Sequence, residues 1–355
     1  MKTLIRNSYK KVFLALLAVT LWSACNDDDT SGIDRAPIIE FVAPAVDANG
    51  MPSDLTPTNV GFANNTYVIR GKNFSSLKHI YFNDYESYFN PTLVTDTNII
   101  VSINENTPYS NVSNKLKLVT GVGTVEYDFV IAPPAPVFNG FQPVNTADGT
   151  NITIKGNYFV NPEVKVGDAS ATIVSSDLTH IVATLPAGSQ GKKVSVSTLS
   201  GTATYNSQVG TSIYDDVFYG GISVSTWAGD VYDIAYSEDP TNIMQGDKAI
   251  KWNAKTWSAL QIDNSPEIPA NAKGIRFYAK AKVATATNAI KLILNYSWGT
   301  TPTITIGEVY KYYEIPFEGS AGFGLSGTPS TMNLTFNNAS GSEYEIYLDD
   351  IGYYY

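Results

Sequence analysis

Tyr67-Val-Ile-Arg-Gly-Lys-Asn-Phe74 and Ile152-Thr-Ile-Lys-Gly-Asn-Tyr-Phe159 are two copies of one pattern. The segments downstream of each copy also correspond. The first leads to Ile80-Tyr-Phe-Asn-Asp84 and Thr97-Asn-Ile-Ile-Val-Ser-Ile103, the second to Val164-Lys-Val-Gly-Asp168 and Thr179-His-Ile-Val-Ala-Thr-Leu185. Short runs of alternating apolar and polar residues, broken by Gly, Asn, Asp and Pro, predict antiparallel strands packed as a sandwich. The offset from Gly71 to Gly156 exceeds a solenoid period of roughly 20–50 residues, so these are tandem domains. Ala132-Pro-Pro-Ala-Pro136 between them reads as a stiff, extended linker, because proline fixes φ. Neither copy carries an evident chemical motif. His79 and His180 read as structural or exposed, and the repeats as spacers.

Ile-x-Gly-x-x-Phe, a short strand ending in Gly or Asp, then Thr-x-Ile-x-x-x-x-Pro resembles the immunoglobulin-like IPT/TIG domain. The second copy carries the full pattern, including Leu185-Pro186.

Composition narrows the function. The 355 residues are 43% hydrophobic and 16% charged, enough apolar material for packed cores. With 33 acidic against 23 basic residues, the net charge is −10. Arg6, Arg35, Arg70 and Arg276 are the whole arginine supply, which argues against nucleic-acid, phosphate or polyuronate partners. A lone cysteine, Cys25, cannot form an intrachain disulfide, and two histidines make a multi-histidine metal centre improbable. A neutral ligand fits this composition.

The first residues read as an address. Lys2, Arg6, Lys10 and Lys11 precede the apolar run Val12–Leu21, far shorter than the roughly 20 residues of a membrane-spanning helix. Trp22-Ser-Ala-Cys25 resembles a bacterial lipobox, with Trp22 where leucine is usual, and implies lipidation of Cys25. The acidic Asn26-Asp-Asp-Asp29 behind it resembles the export tag of surface lipoproteins of glycan-foraging Gram-negative bacteria. The expected segments are a lipoprotein signal peptide over 1–24 and a disordered tether over 25–35. Immunoglobulin-like domains come next over 36–133 and 134–212, and a third domain over 213–355. The only membrane contact expected is the lipid.

From Ile213 the character of the chain changes. Trp227, Trp252, Trp257 and Trp298 all lie here, with dense tyrosine up to Tyr353-Tyr-Tyr355. Alternating strands such as Ala249-Ile-Lys-Trp252, Ile275-Arg-Phe-Tyr-Ala279 and Ile290-Lys-Leu-Ile-Leu294 suit a β-jelly roll. Leu260 and Ile262 share a core-facing side, which puts Trp257 and Gln261 on the opposite face of the same strand. Trp227, in the polar stretch Ser225-Thr-Trp-Ala-Gly229, is a candidate for exposure, as is Trp298 in Tyr296-Ser-Trp-Gly-Thr300. Trp252 shares parity with Ile250 and reads as core. Tyr232 and Asn337 are weaker candidates. If the first and last strands of this domain pair, Asp215, Asp216, Asp349 and Asp350 come together, as oxygen ligands for a structural Ca²⁺ or as exposed strand-end carboxylates. No other cofactor is expected.

The succession Ile213-Tyr-Asp-Asp-Val-Phe218, Gly246-Asp-Lys-Ala-Ile-Lys251, Thr256-Trp257-Ser-Ala-Leu260, Tyr310-Lys-Tyr-Tyr-Glu-Ile-Pro-Phe317 and Ile346-Tyr-Leu-Asp-Asp-Ile-Gly352 is similar to β-jelly-roll carbohydrate-binding modules, most nearly family 11. The complete layout resembles surface glycan-binding lipoproteins of starch-utilization-like systems. The expected protein is therefore all-β, two IPT/TIG immunoglobulin-like sandwiches followed by a jelly-roll carbohydrate-binding domain. The resemblance implies a non-catalytic outer-membrane lipoprotein facing the cell exterior. It would hold a neutral polysaccharide, a β-glucan such as mixed-linkage glucan or xyloglucan, for an outer-membrane importer. Trp257, Trp227, Trp298, Tyr232 and Gln261 would make the contacts. Two alternatives are an adhesin or assembly protein using exposed tryptophans as protein hot spots, and a glycoside hydrolase with paired carboxylates. Nucleophile-elbow, zincin and phosphate-loop motifs are absent from the sequence.

Overall fold

The structure, a computed structural model, describes residues 35–264 and 267–355. The signal segment and the lipidation expected at Cys25 lie outside the described residues. Nearly every described element is a β-strand; one 3₁₀ turn, Pro240–Asn242, is the exception. Among the described residues no helix is long and apolar enough to cross a membrane. The chain divides into two units, one ending at Pro134 and the other covering Ala135–Tyr355.

The first unit is a sandwich of two four-stranded antiparallel sheets. One orders Ile38–Pro44, Thr66–Lys72, Asn98–Ser102 and Phe89–Val94; the other orders Tyr85–Ser87, Leu77–Phe82, Lys115–Thr120 and Thr124–Asp128. A short parallel pair, Val60–Phe62 with Val130–Ala132, completes it. His79 lies within a strand, half exposed, its Nδ1 2.6 Å from Glu86 Oε1.

The second unit opens with the same arrangement. Val137–Gln142, Asn151–Asn157, His180–Thr184 and Thr172–Ser176 form one sheet, and Ala169–Ser170, Glu163–Val166, Lys193–Thr198 and Gly201–Gln208 the other. The repeated Gly-x-x-Phe now has a physical explanation. In each copy a β-bulge sits where the first strand meets the glycine-bearing strand, at Ile39/Phe41 and at Phe138/Gly140. A Cβ on Gly71 would overlap the Ile38 carbonyl and meet the Phe74 ring; on Gly156 it would overlap the Val137 carbonyl and the Phe159 ring. Glycine lets two strands and an aromatic ring close at one point, and Phe74 and Phe159 are buried in their respective cores.

The remainder of this unit is a two-sheet sandwich. A five-stranded sheet orders Ser223–Thr226, Ala259–Asp263, Leu334–Asn338, Ile290–Leu294 and Thr303–Ile304. A six-stranded sheet orders Val231–Tyr236, Ala249–Ala254, Tyr344–Tyr354, Gly274–Ala281 and Lys311–Pro316, with Ser212–Tyr214 also pairing to the last strand. The first and last strands therefore do pair. Ile250, Trp252, Leu260, Ile262, Phe277, Leu292, Phe336 and Leu348 fill the space between the sheets. Trp252 is core as its parity requires, its Nε1 donating to Asp230 Oδ2 at 2.7 Å.

This sandwich and residues 135–211 are joined by buried contacts. Tyr278 of the six-stranded sheet belongs to the core of the preceding sandwich and stacks on Tyr205 at 6.1 Å. Asn206 Nδ2 donates to the Tyr278 hydroxyl at 3.0 Å, and Gln245 Nε2 to the Phe141 carbonyl at 2.9 Å. Arg276, fully buried, donates through Nη1 to Asp350 Oδ1 at 2.7 Å and through Nη2 to Thr211 Oγ1 at 3.1 Å. Ser207 donates its hydroxyl to the other Asp350 oxygen.

The four acids thus have a different role from either one expected. Asp215, Asp349 and Asp350 are buried rather than exposed strand-end carboxylates. Most of their oxygens face hydrogen-bond donors, although Asp215 and Asp216 also line one cavity with Gln142, Lys155, Tyr219 and Asp247. Asp349 accepts from the backbone N–H groups of Met244, Gln245 and Asp350. Asp216 accepts from Asp247 N, Lys248 N and Gln142 Nε2, and Asp215 from Val144 N at 3.0 Å. Among the described residues no three His, Cys, Asp or Glu side chains are grouped to hold a metal ion. Asp215, Asp216 and Asp350 tie the sandwich to its neighbour, through Val144, Gln142 and Ser207, while Asp349 closes the turn at Met244 and Gln245 within it.

Candidate functional site

In an antiparallel sheet, residues directly opposite one another point to the same side. Leu260, Ile262, Leu334, Phe336, Ile290 and Leu292 face the core of the sandwich. The other parity of the five-stranded sheet forms its outer face. Register places Ser225, Gln261, Thr335 and Ile293 in one row across four strands, and Ala259, Asn337 and Lys291 in the next. The floor carries amide, hydroxyl and small apolar groups, with Asp263 and Lys291 as its charged residues.

Two tryptophans meet at one end of this face, and the loop of a third borders the same end. Trp227 continues the outward parity of Ser223 and Ser225, and its backbone N–H donates to the Ala259 carbonyl at 3.2 Å. Trp257 lies just before the strand that begins at Ala259. Its loop is laced to that of Trp227: Ala228 N donates to Ser258 Oγ at 3.3 Å, and Lys255 Nζ to the Ala228 and Gly229 carbonyls at 3.2 and 3.1 Å. Trp298 comes from the connection leaving Leu294, at the opposite end of the sheet. That connection carries it past the two intervening strands to Trp227, with ring centroids 5.7 Å apart and planes inclined by 43°. On the way the Tyr296 hydroxyl donates to Asp263 Oδ1 at 2.8 Å, a bond that favours the protonated phenol and raises its pKa. Ile293 and Thr335 are almost fully buried despite their outward parity, consistent with this connection folding over them.

The indoles themselves stay wet. Trp257 is 67% exposed, Trp298 55% and Trp227 44%. An exposed tryptophan offers a large rigid apolar surface with one N–H donor at its edge. The Trp227–Trp298 pair beside a polar face, with exposed Trp257 on the adjoining loop, suits a ligand with both apolar faces and hydroxyl edges.

Trp257 reaches this position by a route the alternation rule does not describe. The strand starts at Ala259, and Trp257 occupies a left-handed turn with φ 57°. For a bulky non-glycine residue such a conformation costs on the order of 1–3 kcal/mol and persists only where its surroundings enforce it. Gln261 is half-buried on the outer face, beside Trp227's row.

Two weaker candidates lie elsewhere. Tyr232 sits on the edge strand of the six-stranded sheet, opposite Trp252, and its hydroxyl donates to the Val224 carbonyl at 3.0 Å, a strut between the sheets. Asn337 is buried, its Nδ2 donating to the Ser258 carbonyl at 3.0 Å, which leaves it shaping the floor. Sequence reasoning did not single out Tyr296 or Asp263. Tyr296 stands two residues from Trp298 in the same polar stretch, and that neighbourhood was the available signal.

Comparison with known proteins gives one family match and several distant likenesses. The IPT/TIG domain family matches residues 136–214. An IPT/TIG domain-containing protein of Bacteroides ovatus is 28% identical over 153 residues, covering 41% of this chain and 29% of the relative. The chain thus spans less than a third of that relative's length. Among solved structures, the surface glycan-binding protein PbSGBP-B from Prevotella bryantii is 17% identical with a TM-score of 0.47, covering 90% of this chain and 99% of that one. SGBP-B from a complex xyloglucan utilization locus in Bacteroides uniformis is 15% identical with a TM-score of 0.35 over the same shares. A family 29 carbohydrate-binding module is also 15% identical, with a TM-score of 0.28, covering 40% of this chain and 89% of the module. Residues 136–214 are an IPT/TIG domain, built on the bulge and buried phenylalanine described above.

Proposed function

We propose that this protein captures a neutral polysaccharide on the outer face of its five-stranded sheet without cleaving it. The observation that carries this reading is the contact of two water-exposed indoles, Trp227 and Trp298, at one end of a face floored by Gln261 and Ser225, with a third exposed indole, Trp257, on the loop laced to that of Trp227. A β-linked glucan presents flat C–H faces edged by hydroxyls. Indole faces take the former, and amides and hydroxyls take the latter. Mixed-linkage β-glucan and xyloglucan are the ligands of first choice, since both present β-1,4-linked glucose. Lipidation at Cys25 would hold the chain on the outer membrane, facing the exterior, and pass the glycan to an importer.

Hydrolysis would need two free carboxyl groups roughly 5–10 Å apart. The two aspartates nearest the tryptophans are committed: Asp263 accepts from Tyr296, and Asp230 accepts from Trp252 Nε1. This supports binding over cleavage.

The test is affinity electrophoresis of the purified chain in gels containing mixed-linkage β-glucan, xyloglucan, mannan or xylan, with calorimetry on the best ligand. Retardation without new reducing ends supports the reading. Unchanged migration in all four removes it, and new reducing ends would replace binding with catalysis.

A further inference from the structure

The backbone of Trp257 is held in its left-handed turn by a side chain that never reaches the surface. Asn338, fully buried at the end of the neighbouring strand, donates from Nδ2 to the carbonyls of Lys255 and Ser342, each at 2.8 Å. Its Oδ1 accepts from Ser340 Oγ at 2.8 Å and from Ser340 N at 3.2 Å. Its own N–H donates to the Ser258 carbonyl at 2.8 Å. The residues two before and one after Trp257 are therefore both tied to Asn338. The loop it folds, 340–342, supplies the carbonyl of Ser340 that accepts the Trp257 N–H at 3.2 Å.

From these contacts we infer that Asn338 is a positioning residue for ligand capture, acting wholly through Trp257. It fixes the turn before ligand arrives, so the ordering of an exposed indole is not charged against binding. This rests on the proposed glycan-binding role. Asparagine suits the task because one amide supplies donors and an acceptor at once. Aspartate has the same shape but places only acceptors against the Lys255 and Ser342 carbonyls.

Calorimetry with soluble mixed-linkage β-glucan, or with whichever polysaccharide retards the wild type, compares wild type, Asn338→Asp, Trp257→Ala and the double variant. Asn338→Asp is expected to weaken binding about tenfold, and the double variant to bind no more weakly than Trp257→Ala alone. Losses that multiply, or wild-type affinity in Asn338→Asp, overturn the inference. A second measurement needs no ligand. With Trp22, Trp227 and Trp298 replaced by phenylalanine, Trp257 is the exposed indole beside the buried Trp252. Its time-resolved anisotropy should fall faster in Asn338→Asp and in the milder Ser340→Ala, at an unchanged melting temperature for the latter. Unchanged anisotropy in both variants refutes the positioning role even if no polysaccharide binds, whereas failure of the wild type to bind any glycan refutes the proposed function alone.

Discussion

Trp227 and Trp298 meet with ring centroids 5.7 Å apart and planes inclined by 43°, although they leave the five-stranded sheet at opposite ends. Each indole packs against the other at a tilt and keeps about half of its surface exposed. The pair is a folded wedge rather than a flat shelf, and its two members depend on each other.

Replacing either tryptophan by alanine should weaken glycan binding by about 1–2 kcal/mol, roughly tenfold, as for a central aromatic contact. Because each ring orients the other, the double variant should lose less than the sum of the two. Melting temperatures should hardly move, since both side chains are exposed. Calorimetric titration of the four proteins decides this; strictly additive losses would show that the contact is incidental.

Asp215 should make stability fall as pH rises through the acid range. Burial is the main cause of its raised pKa, about 6 against an ordinary value near 3.8. Well below pH 3.8 the group is protonated whether folded or not. Between about pH 4 and 6 the folded chain keeps a proton that the unfolded chain has released, so ionisation works against folding and the loss is complete above pH 6. Two units correspond to about 2–3 kcal/mol. Asp215→Asn, which is neutral throughout, should match wild type at about pH 3 and exceed it by that order at pH 7.5 in urea unfolding. An unchanged difference between the two pH values would refute the assignment.

Arg276→Met should destabilise the second unit by about 3–5 kcal/mol, because it strands the buried Asp350 carboxylate without its cation. Arg276→Met combined with Asp350→Asn should recover part of this. Denaturant midpoints of the single and double variants provide the comparison, and a double variant no better than the single one contradicts it.

Residues 213–355 expressed alone should be less stable than 135–355. The shorter piece loses Ser207 and Thr211 from the Asp350–Arg276 network and uncovers Tyr278, which sits in the neighbouring core. Thermal unfolding followed by circular dichroism should show a lower midpoint for 213–355; equal midpoints would mean the junction contributes nothing.

Gly156→Ala should cost about 1–3 kcal/mol by overpacking, since its Cβ would overlap the Val137 carbonyl and the Phe159 ring. Gly307→Ala, with nothing within 4 Å of its Cβ, should stay within about 0.5 kcal/mol of wild type. Similar unfolding free energies for the two variants would count against the bulge explanation.

Much of this molecule was legible without coordinates. Alternation and turn residues dictate strands wherever one face is buried, so the repeat around Gly71 and Gly156, the β-rich third region and the core placement of Trp252 follow from local pattern. The exposure of Trp257 was foreseen for a reason that does not hold, because alternation says nothing of a residue in a left-handed turn. Tertiary structure alone decided the rest. Which loops lie side by side depends on strand order, and strand order is set by pairing between distant segments: it brings Trp298 to Trp227, Tyr296 to Asp263 and Asn338 beneath Trp257. The same long-range pairing buried Asp215, Asp349 and Asp350 among backbone donors and Arg276. A carboxylate's charge is written in the sequence, but its partners are fixed only when the chain has folded around it.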